Sequence, residues 1–325
     1  STDQPTVIKV AFTGCAASNI NGATLSSVFS LPFNDAPISL SDKSRDKKRH
    51  KYCNLKWVII DEISFVKADV LYILDFKLQE IMQNDLPFGG VAILCFGDLM
   101  QLRPVQGRFI YEAPANSSDF GEVFKWAPRW AMFDSLILER NHRQGADGDY
   151  ANLLNKIRVG AHTEEDLQPL MERVRPFDHP DLEDVWIWIS GKRATCDKIN
   201  KKFIARLPGE LIELKAIHSH PTLPKFKPPI DPKDDAVGQT GLTNVIRIKM
   251  GSRLMIVDNI DVSDGICNGQ LGELVDVVKT RSGEVDKLIV RPQDQKAGNV
   301  NRSRFPQLAQ QYPDCIFLEK VSKTY

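Results

Sequence analysis

Trp57-Val58-Ile59-Ile60-Asp61-Glu62 is the stretch whose reading decides the fold: three consecutive β-branched residues run straight into two acids. An unbroken apolar run of this length reads as a buried parallel strand, because helices cover both faces of such a sheet. Open α/β sheets carry their chemistry just beyond the carboxyl ends of their strands, where Asp61 and Glu62 stand. The pattern recurs at Val91 to Asp98, Val-Ala-Ile-Leu-Cys-Phe-Gly-Asp, which ends in Gly97 and Asp98 with Gln101 just beyond. Between the two runs, Val70, Ile73, Leu74, Leu78 and Ile81 fall on one helical face, which predicts a β-α-β unit.

Upstream, Ile8 to Phe12 reads as a strand that breaks at Thr13-Gly14 into a small-residue stretch reaching Thr24. Asp42 to Lys51 is a basic run, read as a solvated helix face or loop rather than a phosphate-contacting patch. Downstream, Leu136 to Leu138 predicts a third short strand leading into Glu139 to Gln144, and Tyr150 to Val159 a helix. A strand at Val185 to Ile189 and a helix at Ala194 to Leu207 restart the α/β alternation. Pro221, Pro224, Pro228, Pro229 and Pro232 mark an extended segment, after which short β runs at 245–250, 253–257, 272–278 and 286–291 suggest a small antiparallel barrel. The expected organisation is therefore 1–142, 143–215 as part of a second α/β domain, and 216–325 as a Pro-rich segment with a β-rich insertion or remainder.

The chain has 325 residues, 42% hydrophobic and 26% charged, a composition typical of globular proteins. No apolar run approaches the roughly eighteen residues of a membrane span, and Ser1 to Lys9 lacks a signal peptide's apolar block. An intracellular protein without membrane contact is expected. Forty-two basic and 42 acidic residues balance, so a nucleic-acid site would have to be a local groove. The six cysteines are scattered without a Cys-x-x-Cys pair, which argues against a zinc framework and for a reducing compartment. Cys95, inside an apolar run, reads as a small core residue.

Nucleotide hydrolysis needs a carboxylate for magnesium, an acid that orients water, a polar sensor of the terminal phosphate and a cation for the transition state. Asp61, Glu62, Gln101 and Arg143 are candidates for these four roles in that order, with Asp61 reaching the metal through water. Taken singly, each has a plainer reading: an Asp-Glu pair opening a helix, a turn at Gly97-Asp98, a surface arginine. Their order on two successive strand ends is what favours the chemical reading.

Three segments carry a family resemblance. Asp61-Glu62-Ile63-Ser64, then Gly97 to Val105 (Gly-Asp-Leu-Met-Gln-Leu-Arg-Pro-Val), then Leu138 to Gln144 (Leu-Glu-Arg-Asn-His-Arg-Gln) resemble motifs two, three and four of the Pif-family DNA helicases, in the RecD-like branch of superfamily one. Thr13 to Leu25 resembles motif Ia, and Leu153 to Gly160 is similar to the pattern after motif four. Ile248 to Ile260 together with Asn268 to Gly272 resemble the family's β-rich region, nearest in wording to helicases of Helitron-type elements and their domesticated relatives. The resemblance runs roughly from residue 8 to 290. The family's Gly-x-Gly-Lys-Ser/Thr loop and its last motifs have no counterpart, and Ser26 stands where His is usual; the chain therefore resembles an internal piece of a larger helicase.

The resemblance implies RecA-like α/β domains with a parallel sheet and a small β-barrel-like insertion, closing on ATP and Mg2+ and moving 5′ to 3′ along single-stranded DNA. It implies forked DNA as a second partner, a monomer, and nuclear placement. Thr13, Gly14, Asn21 and Thr24 would contact the strand's phosphates or sugars, and the helix carrying Lys192, Arg193, Lys198, Lys201 and Lys202 would add backbone contacts. The alternative is a helicase-derived module that binds nucleic acid or protein without turnover.

Overall fold

The computed structural model describes residues 4–31, 39–105, 107–112, 129–145, 147–176, 187–216 and 245–320. Four parallel strands, β1 (Val7–Ala11), β2 (Ala23–Thr24), β3 (Trp57–Asp61) and β4 (Ala92–Cys95), form a sheet in the order β2-β1-β3-β4. Ile8, Val10, Val58, Ile60, Ile93 and Cys95 share one face, since Ile8 pairs with Val58 and Val10 with Ile60, and the row continues to β4. That face is sealed: Val10, Val58 and Ile60 are fully buried. On the other face Trp57 is 48% and Leu94 42% exposed, so the unbroken apolar run is buried strictly on one side among the described residues.

Helix α1 (Gly14–Asn19) opens directly after β1, and the short α2 (Leu25–Phe29) follows β2. The basic run forms α3 (Asp42–Tyr52), and the amphipathic segment forms α4 (Ala68–Met82). α4 seals the sheet with Val70, Leu71, Ile73, Leu74, Leu78 and Ile81, each buried in one apolar core with Phe29 and Leu55. α3 docks on α4 through its cations: Arg49 donates to the Glu80 carbonyl at 3.2 and 3.1 Å, and Arg45 lies 3.6 Å from the Glu80 carboxylate. Lys48 donates to the Val28 carbonyl, and burial, with Lys51, Lys77 and Lys47 nearby, lowers its pKa. The basic stretch is thus partly a packing surface.

Helices α5 (Gly148–Arg158), α6 (Glu164–Met171) and α7 (Arg193–Arg206) follow. Leu136 to Leu138 corrects a sequence expectation: the segment is not a strand, and its three residues are 88%, 83% and 78% exposed. Apolar residues alone do not make a strand, because the backbone needs a neighbour to pair with, and none pairs here among the described residues. Residues 187–189 of the expected strand Val185 to Ile189 likewise form no strand among the described residues, whereas 185 and 186 lie outside them, as does the Pro-rich stretch from 217 to 244.

β5 (Ile212–Lys215) pairs antiparallel with β6 (Val245–Ile248), across the expected boundary at 215/216. β7 (Arg253–Met255), β8 (Leu271–Lys279), β9 (Val285–Pro292) and β10 (Ile316–Glu319) form an antiparallel sheet in the order β10-β9-β8-β7. Ile248, Ile266, Leu274, Val290 and Ile316 join the two sheets in one core, which gives the barrel-like character. α8 (Asn299–Arg304) and α9 (Pro306–Gln311) cover the opposite face, where Phe305 and Leu308 pack on Ile289 and Phe317. The buried Asn301 is satisfied there: its amide donates to the Phe317 carbonyl at 3.1 Å and accepts from Phe317 N at 2.8 Å.

Candidate functional site

The carboxyl ends of β2, β1 and β3 lie in register, so Thr24, Ala11 and Asp61 form one row across the end of the sheet. This row joins the motif Ia segment to the acids after β3. The chain leaves β3 through Glu62, whose backbone is left-handed (φ 53, ψ 50), and enters a single turn of 3-10 helix at Ile63–Phe65. Non-glycine residues in that region cost energy and cluster at functional sites. The Glu62 amide donates to Asp61 Oδ1 at 3.0 Å, which leaves the second Asp61 oxygen and the whole Glu62 carboxylate without a hydrogen bond among the described residues.

Two backbone bonds lock this turn to the end of β4: Phe96 N donates to the Ile60 carbonyl at 2.8 Å, and Ile63 N to the Phe96 carbonyl at 2.9 Å. Gly97 follows with φ 149, and a Cβ there would stand 2.8 Å from Ile63 N. Only glycine lets the two strand ends approach so closely. Asp98 then organises the next turn, accepting from Met100 N at 3.0 Å and from Gln101 Nε2 at 3.1 Å. Gly107, beyond it, abuts Lys67: a Cβ on Gly107 would lie 2.5 Å from Lys67 Cδ.

Asp61, Glu62 and, through Gly97 and Asp98, Gln101 therefore share one rim. Arg143 is exposed, its amide donating to Asn141 Oδ1 at 2.9 Å, and no hydrogen bond or ion pair joins it to Asp61 or Glu62 among the described residues. A hard divalent cation needs oxygen ligands. Among the described residues no group of three or more His, Cys, Asp or Glu could hold a metal. Asp61 thus fits Mg2+ only as a partial ligand, completed by water and phosphate oxygens, as is usual for that ion.

The four strand-contact candidates divide. Thr13 is the N-cap of α1, its hydroxyl accepting from Ala16 N at 3.3 Å. Gly14 is buried, and its open side is filled by Asn259. Asn21 is exposed with φ 50, and Thr24 is half-buried, its carbonyl accepting from Ser27 Oγ at 2.8 Å. α7, with Lys192 at its N-cap, has no buried residue, so Arg193 and Lys198 lie on an exposed helix. No helix among the described residues is long and apolar enough to cross a membrane.

Sequence reasoning gave no role to several residues that the structure brings to this rim. Arg158, at the end of α5, places Nη2 2.6 Å from Asp98 Oδ1 across 60 residues of chain. Asn259 and Gly269 of the β-rich part pack on Gly14 and Cys15. Cys267 lies beside Cys15 as well, and burial foremost, then Cys15, raises its thiol pKa. Arg158, Asn259 and Gly269 lie within segments that resemble the family's pattern, but nothing local in the sequence says which distant residue each one meets.

Against known proteins, the sequence model described as PIF1-like helicase matches residues 1–168. The ATP-dependent DNA helicase PIF1 of Emericella nidulans is 30% identical over 271 residues, covering 82% of this chain and 34% of that protein. A Bacteroides Pif1 helicase in complex with ADP-AlF3 and ssDNA has TM-score 0.61 at 25% identity, over 89% of this chain and 63% of that one. A structure described as DNA unwinding at forked dsDNA by two coordinating Pif1 helicases gives 0.59 at 27%, over 89% and 64%. The expected RecA-like α/β class is borne out by these superpositions. The chain spans about a third of the length of the curated relatives it matches.

Proposed function

The chain belongs to the PIF1-like helicase family, and from that premise we propose that it is the core of an ATP-dependent DNA helicase, part of a longer protein, that moves 5′ to 3′ on single-stranded DNA and unwinds duplex. The observation that carries this reading is the lock between two strand ends, Ile63 N to the Phe96 carbonyl, which sets the Asp61-Glu62 turn against the Gly97 to Gln101 turn. In this reading Asp61 would hold Mg2+, Glu62 would orient the attacking water, and Gln101 would sense the terminal phosphate. Mg2+ would supply charge neutralisation at the phosphates. Arg143 would meet the same phosphates when the cleft closes, a role suited to a planar guanidinium that stays charged.

Thr13, Asn21 and Thr24 would hold the strand's phosphates or sugars on the rim beside Asp61, and Gly14 would support that surface from within. Single-stranded and forked DNA are the partners, a monomer the working unit and the nucleus the place of action. The boundary near Arg143 would separate two RecA-like halves, with β5 to β10 as the β-rich insertion.

The test is DNA-stimulated ATP hydrolysis by the full-length protein that contains this chain. Glu62→Gln should abolish turnover and spare ATP binding, since only water activation is removed. Undiminished turnover would exclude Glu62 from that role. Binding of single strands without any ATPase in the unsubstituted protein would favour the non-hydrolysing module instead.

A further inference from the structure

We propose that Arg158 is a positioning residue for Gln101, acting through Asp98; the proposal rests on the reading of Gln101 as the phosphate sensor. The Asp98 carboxylate is divided between its neighbours. Oδ2 accepts from Gln101 Nε2 at 3.1 Å, while Oδ1 accepts from Met100 N at 3.0 Å and from Arg158 Nη2 at 2.6 Å. A carboxylate only accepts, so the amide nitrogen of Gln101 is the atom that faces it, and its oxygen points elsewhere. Asp98 thereby fixes which end of the Gln101 amide is presented, and Arg158 fixes Asp98.

Among the described residues, the short, charge-assisted contact to Arg158 is the one restraint on Asp98 that comes from outside its own turn. It comes from a helix with a second connection to the proposed chemistry. α5 starts at the Asp147 cap, whose side chain accepts from Tyr150 N at 3.1 Å and whose amide donates to the Gln144 carbonyl at 3.0 Å, next to Arg143. Arg158 closes the same helix about 16 Å away, taking 1.5 Å of rise per residue. A displacement of α5 therefore reaches Gln101 at one end and the Arg143 turn at the other. The pair is half exposed, with side chains 45% and 21% accessible, so its worth to global stability is small. Its contribution is to placement.

The test is a double-mutant cycle on DNA-stimulated ATPase of the full-length protein. Arg158→Ala should lower kcat about tenfold with KM for ATP within about twofold, because a misplaced group costs rate more than binding. Arg158→Lys, which keeps the charge and loses the fork, should recover part of the loss. In a Gln101→Ala background Arg158→Ala should cost less than about twofold further, and the thermal midpoint should not move in either background. An equal loss in both backgrounds would overturn the inference while leaving the sensor reading intact, and so would an Arg158→Ala enzyme of normal kcat. Turnover unaffected by Gln101→Ala, or no turnover in the unsubstituted protein, would overturn the sensor reading and this inference together.

Discussion

Gly14, the first residue of α1, lies directly beneath Asn259: a Cβ built on Gly14 would sit 1.9 Å from Asn259 Oδ1. That oxygen is already engaged, accepting from Asn268 N at 3.1 Å, so the side chain cannot swing away without breaking its own loop. Gly269 continues the seam over Cys15, and Val262 packs on Ala16 and Ala17. The helix that begins the proposed strand-binding surface is thus the floor on which the β-rich part rests.

Gly14→Ala should open this seam. We expect a loss of about 1–3 kcal/mol, the usual range for overpacking, and faster amide hydrogen exchange across residues 259–269. Asn259→Ala in the same chain should recover part of the loss. Unchanged exchange in Gly14→Ala would show that the two surfaces do not meet in solution.

Glu62 holds a left-handed backbone that an L-residue resists. Glu62→Gly relieves roughly 1–2 kcal/mol of that strain, offset by glycine's larger unfolded-state entropy. The urea midpoint should therefore stay level or rise slightly while turnover disappears. A clearly lowered midpoint would mean that Glu62 makes stabilising contacts instead.

Asp75 on α4 is 2% exposed and gathers three donors: Arg129 Nε at 2.5 Å, Phe88 N at 2.5 Å and Gln79 Nε2 at 3.2 Å. Asp75→Ala would strand a guanidinium and a buried amide, costing about 3 kcal/mol by chemical denaturation. Arg129→Ala should cost less, because the other two donors still serve the carboxylate. Equal losses would mean that the ion pair alone dominates.

Burial pushes the Cys95 thiol up to about 12. In the folded state it stays protonated where an exposed thiol ionises, so alkylation at pH 8.5 should label exposed Cys53 well before Cys95. The folded state also holds this proton longer than the unfolded chain does. Its contribution is intact below the unfolded thiol's value near 9 and is lost progressively as pH rises towards about 12. Equal labelling of both residues, followed by mass spectrometry, would contradict that burial.

Binding of single-stranded DNA by the full-length protein should weaken with salt, by a slope of roughly 0.7 per neutralised phosphate. Thr24→Ala should lower the affinity and leave the slope unchanged, since a hydroxyl displaces no counterion. A changed slope would place Thr24's effect on a neighbouring cation.

The legible parts of this protein were those written in local patterns. Val58-Ile59-Ile60 declared β3, the spacing of Val70, Ile73, Leu74, Leu78 and Ile81 declared α4, and the short runs after Val245 declared the antiparallel sheet. Thr13-Gly14 was read as the end of a strand, but the six-residue helix beyond it was missed because Ala16 and Ala17 carry no periodic apolar signal of their own. β5 was missed for a related reason: four residues of mixed polarity become a strand only beside β6.

Taken alone, the sequence determined that acids and a glutamine end two neighbouring parallel strands, because strand formation and the α/β alternation follow from residue types close together in the chain. Only the tertiary structure decided that Arg158 grips Asp98, that Gly14 carries Asn259, and that Leu136 to Leu138 find no strand partner among the described residues. Ion pairs, close approaches and strand partners depend on where separate segments come to rest, and that placement is set by packing of the cores rather than by any pattern within ten residues of the groups involved.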